Sequence, residues 1–243
     1  MSGIQCSFQR CEKKYFLSPA QQQTLLAAMA GHARRDEYGA YTICNTYYDT
    51  ADWHLIRASI EKPAYKEKLR MRSYGTPAEN GRVFAELKKK CGGVVYKRRI
   101  TATPGQVEAL LALRTPGADF GQIGQELEWF CRRCRPQPRV FIGYDRLAYA
   151  GIDDPGLRIT FDTHIRWRTD HPELRWGDGG APLLPDDRVL LELKLPGACP
   201  LWLSRALSDI GAYPVSFSKY GYCYKQHILP TLQNKYKEAQ HCA

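Results

Sequence analysis

The stretch Tyr65–Tyr74, YKEKLRMRSY, decides the fold class because charged and apolar side chains alternate along it. Successive side chains of a β-strand point to opposite faces, so this alternation predicts a strand with one cationic face and one apolar face. The cationic face consists of Lys66, Lys68, Arg70 and Arg72. Leu69 and Met71 lie on the opposite face, which is suited to an apolar core.

The same two-residue period recurs along the rest of the chain. It is clearest in residues 8–16, 83–90, 157–168 and 189–195. Further strand candidates are residues 41–48, 94–100, 125–130 and 139–149. Eight or nine strands with few helices between them predict an α+β protein that is mainly β.

The helices are marked by capping signals. Ser18-Pro19 and Thr103-Pro104 each place an N-cap residue before a proline at the first helical position. A third helix begins at Pro200 and ends before Gly211, and a C-terminal helix begins near Tyr220. We find no internal repeat and no linker, so we expect one domain over residues 1–243.

The net charge limits the classes of partner. The chain has 35 Lys and Arg against 25 Asp and Glu, which gives a net charge of +10 and favours polyanions. No apolar run approaches the roughly 18 residues that cross a bilayer, and the N-terminal residues lack the apolar stretch of a signal peptide. We therefore expect a cytoplasmic protein whose nine cysteines are reduced. Cys131 and Cys134 form one CxxC, which we interpret as two strand-end thiols, with a zinc site as the alternative.

The charged strand faces allow two architectures. Charged residues of a β-sheet ordinarily face solvent, which would give an open sheet or a barrel with a solid core. These faces, however, are mostly cationic, and each of the isolated Glu12, Glu86 and Glu192 has a cation two residues away. Turning such faces inward would crowd like charges together unless a polyanion filled the space. The pattern alone leaves both architectures open.

An ordered set of motifs resembles the polyphosphate polymerase (VTC) domain of the CYTH-like triphosphate tunnel metalloenzymes. The matching motifs are RCEKKYF (10–16), YYDT (47–50), YKEKLRMRSYG (65–75), VFAELKKK (83–90), VVYKRR (94–99), YDR (144–146), RITFDTHIRWR (158–168), LLELKLPG (190–197) and SFSKYGYCY (216–224). They cover roughly residues 8–225. The resemblance implies a closed antiparallel β-barrel of about eight strands around a basic tunnel, with a few helices outside and a C-terminal helix.

The resemblance also implies roles for individual residues. The implied catalytic residues are Arg70, Arg72, Arg158 and Lys219. The implied phosphate- and ATP-binding residues are Arg10, Lys14, Lys88, Lys97, Tyr144, Arg146 and Ser218. Glu192 is the first candidate and Glu86 the second for a ligand of Mn²⁺ or Mg²⁺.

The implied function is ATP-dependent synthesis of polyphosphate, with ATP and inorganic polyphosphate as partners and no nucleic acid. The superfamily's ExExK strand appears here as Arg10-x-Glu12-x-Lys14, and the arginine argues against a plain triphosphatase. No GxxxxGK[ST] loop is present, so the basic strand faces would have to hold the phosphates. A metal-dependent triphosphatase and a non-catalytic polyphosphate-binding module remain alternatives, and a membrane-protein partner stays open.

Overall fold

The computed structural model describes residues 11–234, which form a mostly antiparallel β structure with surrounding helices. The strands in this range are β1 (Cys11–Leu17), β2 (Ala33–Asp49), β3 (Tyr65–Tyr74), β4 (Val83–Cys91), β5 (Val94–Ala102), β6 (Gln137–Gly151), β7 (Arg158–Arg168), β8 (Ala181–Pro182) and β9 (Val189–Leu195). The α-helices are α1 (Pro19–Ala28), α2 (His54–Ile60), α3 (Pro104–Leu111), α4 (Gly121–Cys134), α5 (Leu201–Asp209) and α6 (Lys219–Cys223). The mainly β prediction is confirmed.

The strands are hydrogen-bonded in the order β1-β9-β7-β6-β2-β3-β4-β5, and β8 pairs with β7. The pairs β1–β9, β2–β3, β3–β4, β4–β5 and β7–β9 are all antiparallel. Within residues 11–234 this path begins at β1 and ends at β5, and no strand pairing joins its two ends. The predicted closure into a barrel is therefore not confirmed.

One predicted strand is wrong. Residues 125–130 belong to helix α4, because the buried positions Gly124, Leu127, Phe130 and Cys131 recur every three or four residues rather than every two. Cys131 and Cys134 consequently lie in the last turn of α4 and not at strand ends. Burial raises the pKa of Cys131 to about 12, so this thiol is neutral and packs as an apolar core residue.

The capping predictions are confirmed. Ser18 and Gln21 form a reciprocal capping box at the start of α1, and Thr103 and Gln106 form another at the start of α3. Along the part of the chain that the structure describes, no helix is both long enough and apolar enough to span a membrane.

The contacts divide the described chain into two compact units. Unit 1 comprises residues 11–41, 144–165 and 184–217, and its core includes Leu25, Phe161 and Leu191. Unit 2 comprises residues 42–143, 166–183 and 218–234, and its core includes Leu69 and Phe130. In both units the apolar face of the alternating strands lies in the core, as the two-residue period predicts. The single-domain interpretation stays a prediction.

Candidate functional site

The charged face of unit 2 is organised around the carboxylate of Glu86, whose side chain is only 2% exposed. Arg70 donates from Nε and Nη2 to Glu86 Oε2 at 2.8 and 2.7 Å. Lys97 Nζ lies 2.8 Å from Glu86 Oε1, and Arg99 Nε donates to the same oxygen at 2.8 Å. One buried carboxylate therefore binds three cationic side chains.

The strand register explains why these residues meet. Arg70 of β3 lies opposite Glu86 of β4, which in turn lies opposite Arg99 of β5, so the three side chains share one face. Arg72 follows two residues after Arg70 on the same face and is buried, and its Nε donates to Asn45 Oδ1 at 2.9 Å. We call Arg70, Arg72, Glu86, Lys97 and Arg99 the Glu86 cluster.

The Glu86 cluster carries four cations against one carboxylate. Burial by itself raises the pKa of Glu86, but Arg70, Arg72 and Lys97 together hold it well below its ordinary value. Burial also lowers the pKa of Lys97, as do Arg99 and Arg70, although Glu86 opposes them. Glu86 is thus ionised at neutral pH and leaves an excess of positive charge on a partly buried face. A bound polyanion would offset that excess.

Three further predicted residues belong to unit 2, which also contains this cluster. Lys88 is exposed and lies between Lys68 and Lys97 in the strand register, on the same face as Glu86. Ser218 is the N-cap of α6, and its Oγ contacts Lys68 Nζ at 3.2 Å. Lys219 follows and is only 8% exposed. Ser218 and Lys68, which are 150 residues apart in the chain, thus meet on the strand face that carries the Glu86 cluster.

Unit 1 contains a second charged group around Glu192 of β9. Arg146 donates to Asp162 Oδ1 and Oδ2 at 2.6 and 2.8 Å, and its Nη2 also reaches Glu192 Oε2 at 3.3 Å. Lys14 Nζ lies 3.4 Å from Glu192 Oε1 and 3.2 Å from Glu12 Oε1. We call Glu12, Lys14, Arg146, Asp162 and Glu192 the Glu192 cluster.

The Glu192 cluster has three carboxylates and two cations. Burial alone would lower the pKa of Arg146, but Tyr144, Asp162 and Glu192 raise it well above the ordinary arginine value. Tyr144 is buried, and the Arg146 guanidinium lies 5.1 Å from the centre of its ring. Arg158 is exposed on β7 and lies opposite Lys194 of β9. The next pair on the same face of these two strands is Thr160 and Glu192.

The two predicted metal ligands differ in how well they suit a cation. Among residues 11–234 there is no group of three or more His, Cys, Asp and Glu side chains arranged to hold a metal ion. Both Glu86 oxygens bind arginine or lysine at 2.8 Å or less, so Glu86 does not fit this role. Glu192 makes longer contacts with its cations, and Glu12 reaches the same lysine, so their oxygens fit a hard divalent cation better.

Sequence reasoning did not predict three cluster members, Glu12, Arg99 and Asp162, as site residues, nor Asn45, which binds Arg72. Arg99 follows Lys97 at the two-residue spacing, and Asp162 shares the polar face of β7 with Arg158, so both had a detectable signal. Asn45 had none, because its role depends on its pairing with Arg72 across two strands. Arg10 lies outside the described residues.

The fold and these clusters define a class: mostly antiparallel β proteins with partly buried charged clusters on their strand faces. The profile of the VTC domain matches residues 9–228. The chain therefore belongs to the VTC domain family, as its motifs predicted.

Several solved structures are similar to this chain over most of its length. A Hippeastrum protein, described as a candidate adenylyl cyclase with a dominant triphosphatase activity, is 18% identical, with 86% of this chain and 92% of that chain covered at a TM-score of 0.49. A candidate adenylate cyclase from Vibrio parahaemolyticus is 12% identical, with coverages of 90% and 98% and a TM-score of 0.48. A Pyrococcus horikoshii protein is 9% identical, with coverages of 90% and 99% and a TM-score of 0.47. The search of curated proteins gives no match.

Proposed function

We propose that this protein is an ATP-dependent polyphosphate polymerase. The γ-phosphoryl group of ATP would pass to the terminal phosphate of a polyphosphate chain, and ADP would leave. The observation that carries the proposal is the Glu86 cluster, where four cations surround one carboxylate on a partly buried strand face in a VTC domain chain. Such an excess of positive charge is unfavourable alone and favourable with a phosphate chain bound.

The reaction needs charge and position more than a nucleophilic side chain. Phosphoryl transfer passes through a loose transition state whose negative charge is spread over the peripheral oxygens. The bond between the γ-phosphorus and the oxygen that links it to the β-phosphate breaks, and ADP leaves with that oxygen. A bond forms between the γ-phosphorus and a terminal oxygen of the acceptor chain. That acceptor oxygen is already an anion, so no strong general base is required. In this proposal the catalytic residues of unit 2 are Arg70, Arg72 and Lys219, which stabilise the transferred group, and Arg158 is the proposed catalytic residue of unit 1.

The remaining predicted residues are proposed to bind phosphate within their own units. Arginine grips phosphate oxygens with two parallel hydrogen bonds, whereas lysine acts as a mobile point charge. The proposed binding residues in the described range are Lys14, Lys88, Lys97, Tyr144, Arg146 and Ser218, and Arg99 joins them through its contact with Glu86. Arg10 keeps its proposed phosphate role from the sequence.

A divalent cation would be held by Glu192, with Glu12 as the second carboxylate and phosphate oxygens as further ligands. Mn²⁺ or Mg²⁺ bound there would neutralise charge on the phosphate oxygens. Lys14 and Arg146 orient the Glu192 carboxylate from its two sides, because each contacts a different oxygen. Glu86 instead orders the cations of its own cluster, since both of its oxygens are bound by them.

A metal-dependent triphosphatase is the second candidate function. Glu12 and Glu192 favour it, because a hard cation held by these carboxylates could activate water as the acceptor. The arginine at position 10, in place of the first glutamate of the ExExK strand, favours the polymerase.

The experiment that tests the proposal is incubation of the full chain with ATP and Mn²⁺, followed by gel analysis of polyphosphate and an assay of ADP. We expect ADP and long-chain polyphosphate. Release of one free phosphate per ATP without polymer would contradict the polymerase and support the triphosphatase. Triphosphate binding without any turnover would leave only a binding module.

A matched pair of variants tests the location of the phosphate site. Arg98 and Arg99 are neighbours on β5, but Arg99 binds Glu86 whereas Arg98 binds Glu126 on the other face. Triphosphate at about 100 times its Kd should stabilise the wild type by roughly 2.7 kcal/mol in a thermal shift assay. We expect this stabilisation to shrink in Arg99→Ala and to persist in Arg98→Ala. Equal shifts in both variants would contradict the assigned site.

A further inference from the structure

Tyr220 of helix α6 makes a buried hydrogen bond that the proposed chemistry does not use. Its side chain is 2% exposed, and its hydroxyl donates to Asp49 Oδ2 at 2.7 Å. Asp49 is completely buried at the end of β2. A buried carboxylate is costly unless its oxygens are satisfied, so this contact requires a structural or functional reason.

Asp49 is a rigid anchor because helix α2 holds it. Asp49 Oδ1 accepts the backbone N–H groups of Thr50 and Leu55 at 2.8 and 2.9 Å, and Oδ2 accepts that of Ile56 at 3.0 Å. These donors include the first N–H groups of α2, which have no partner within the helix. The carboxylate is therefore satisfied without Tyr220, and the tyrosine gains a fixed acceptor.

A second contact ties Tyr220 to the Glu86 cluster. The rings of Tyr47 and Tyr220 stack with their centres 4.6 Å apart and an interplanar angle of 25°. Tyr47 lies opposite Arg70 in the β2–β3 register, and Arg70 Nη1 donates to its hydroxyl at 3.4 Å. Tyr47, on which Tyr220 stacks, thus contacts Arg70, and Arg70 in turn binds Glu86.

The helix that Tyr220 anchors carries two proposed phosphate ligands. Ser218 is its N-cap and Lys219 its first residue, so both immediately precede Tyr220 in the chain. Ser218 Oγ contacts Lys68 Nζ and accepts the backbone N–H of Gly221. Helix α6 continues without a break through the π-helical turn Tyr224–Ile228 to residue 234, and Tyr220 lies in its first turn, directly after Ser218 and Lys219. The orientation of Ser218 and Lys219 therefore depends on what holds Tyr220.

We propose that Tyr220 is a positioning residue: its hydrogen bond to Asp49 and its stacking on Tyr47 hold α6 so that Lys219 and Ser218 face the bound phosphate chain. This inference rests on the proposed function and deepens it. Burial, together with the charge of Asp49, raises the pKa of Tyr220 well above its ordinary value. The hydroxyl consequently remains a donor throughout the working pH range, and its effect should not depend on pH.

The test is Tyr220→Phe in the full chain, which removes one hydroxyl and keeps the ring that stacks on Tyr47. We expect the Kd for triphosphate to rise about tenfold by calorimetry, well below the melting temperature. Tyr222→Phe, whose ring lies 6.3 Å from that of His227, is the matched control on the same helix and should leave the Kd within twofold. A Tyr220→Phe variant with a lower Tm and an unchanged Kd has lost only stability, and this would overturn the positioning role.

A double-mutant cycle with Lys219→Ala separates this inference from the proposed function. If Tyr220 acts through Lys219, the tenfold effect of Tyr220→Phe should fall below about twofold in the Lys219→Ala background, because coupled residues are not additive. The same factor in both backgrounds would overturn the inference alone. An unchanged Kd in Lys219→Ala itself would instead overturn the proposed phosphate site at α6.

Discussion

The Glu86 cluster of unit 2 and the Glu192 cluster of unit 1 are both built from charged side chains of antiparallel strands, yet their charges differ in balance. The Glu86 cluster holds four cations against one carboxylate. The Glu192 cluster holds two cations against three carboxylates. The difference teaches that one alternating pattern can produce a cluster with an excess of cations in one place and a cluster with an excess of carboxylates in another.

We therefore propose different roles for the two glutamates. Glu86 is a counter-ion that keeps neighbouring cations together before any ligand arrives. Its removal should therefore affect the stability of the empty protein more than turnover. Glu192 lies 3.4 Å from Lys14 Nζ and 3.3 Å from Arg146 Nη2, and its proposed role is to bind a metal ion. Its removal should affect turnover more than stability.

The largest expected effect is on stability and concerns Glu86→Gln. Removing one partner of a buried ion pair costs about 3–5 kcal/mol, so urea unfolding of the ligand-free variant should show a loss of this size. Triphosphate should restore more stability to the variant than to the wild type, because the ligand supplies the missing negative charge. The control is Glu126→Gln, whose partly exposed pairs with Lys89 and Arg98 should cost less than about 1 kcal/mol. Equal losses of stability in the two variants would show that Glu86 contributes no more to stability than the partly exposed Glu126.

The second prediction concerns turnover and Glu192→Gln. The substitution nearly preserves size but removes the charge that a hard cation prefers, so turnover with Mn²⁺ should fall at least about 100-fold, or ~2.7 kcal/mol. Triphosphate affinity should stay within twofold, because the cations that hold phosphate are unchanged. Glu37→Gln, an exposed residue of unit 1, should keep wild-type turnover. If Glu192→Gln folds and turns over ATP normally, the metal ligand has been assigned to the wrong residue.

The third prediction uses pH to isolate Glu86. Its pKa is held below the ordinary value of 4.5, so the stability it contributes is fully present above that pH and is lost as the pH falls towards the folded-state pKa. Between pH 5 and 3 the wild-type free energy of unfolding should therefore drop more steeply than that of Glu86→Gln. The difference should approach about 1.4 kcal/mol per pH unit, which is the contribution of one proton. Parallel curves for the two proteins would show that Glu86 is not the acid-sensitive group.

The smallest effect is expected for Arg158→Ala. Arg158 is exposed on the face of β7 that carries the Thr160–Glu192 pair, so solvent screens its charge. We expect triphosphate affinity and turnover each to fall about fivefold, or ~1 kcal/mol. Arg188→Ala, which breaks an exposed pair with Asp186 in the same unit, is the control and should change neither quantity. A loss of 100-fold or more in Arg158→Ala would place this residue among the dominant phosphate contacts.

Much of the fold was predictable because strand faces have a local period. The predicted strands at 83–90, 157–168 and 189–195 correspond to β4, β7 and β9 within one residue at each end. The interpretation failed at 125–130, where Glu126 and Glu128 alternate with Leu127 and the exposed Trp129. A short segment can fit both periods, and tertiary packing then selects the helical face that buries Leu127 and Phe130.

The sequence by itself determined which residues are charged, which strand face carries them, and membership of the VTC domain family. These are properties of local order along the chain. Only the tertiary structure decided that Glu86 binds Arg70, Lys97 and Arg99 while Glu192 shares Arg146 with Asp162. It also decided that Tyr220 reaches Asp49, 171 residues earlier. Such pairings depend on strand register and helix docking between distant segments, and no local pattern encodes the distance between two side chains.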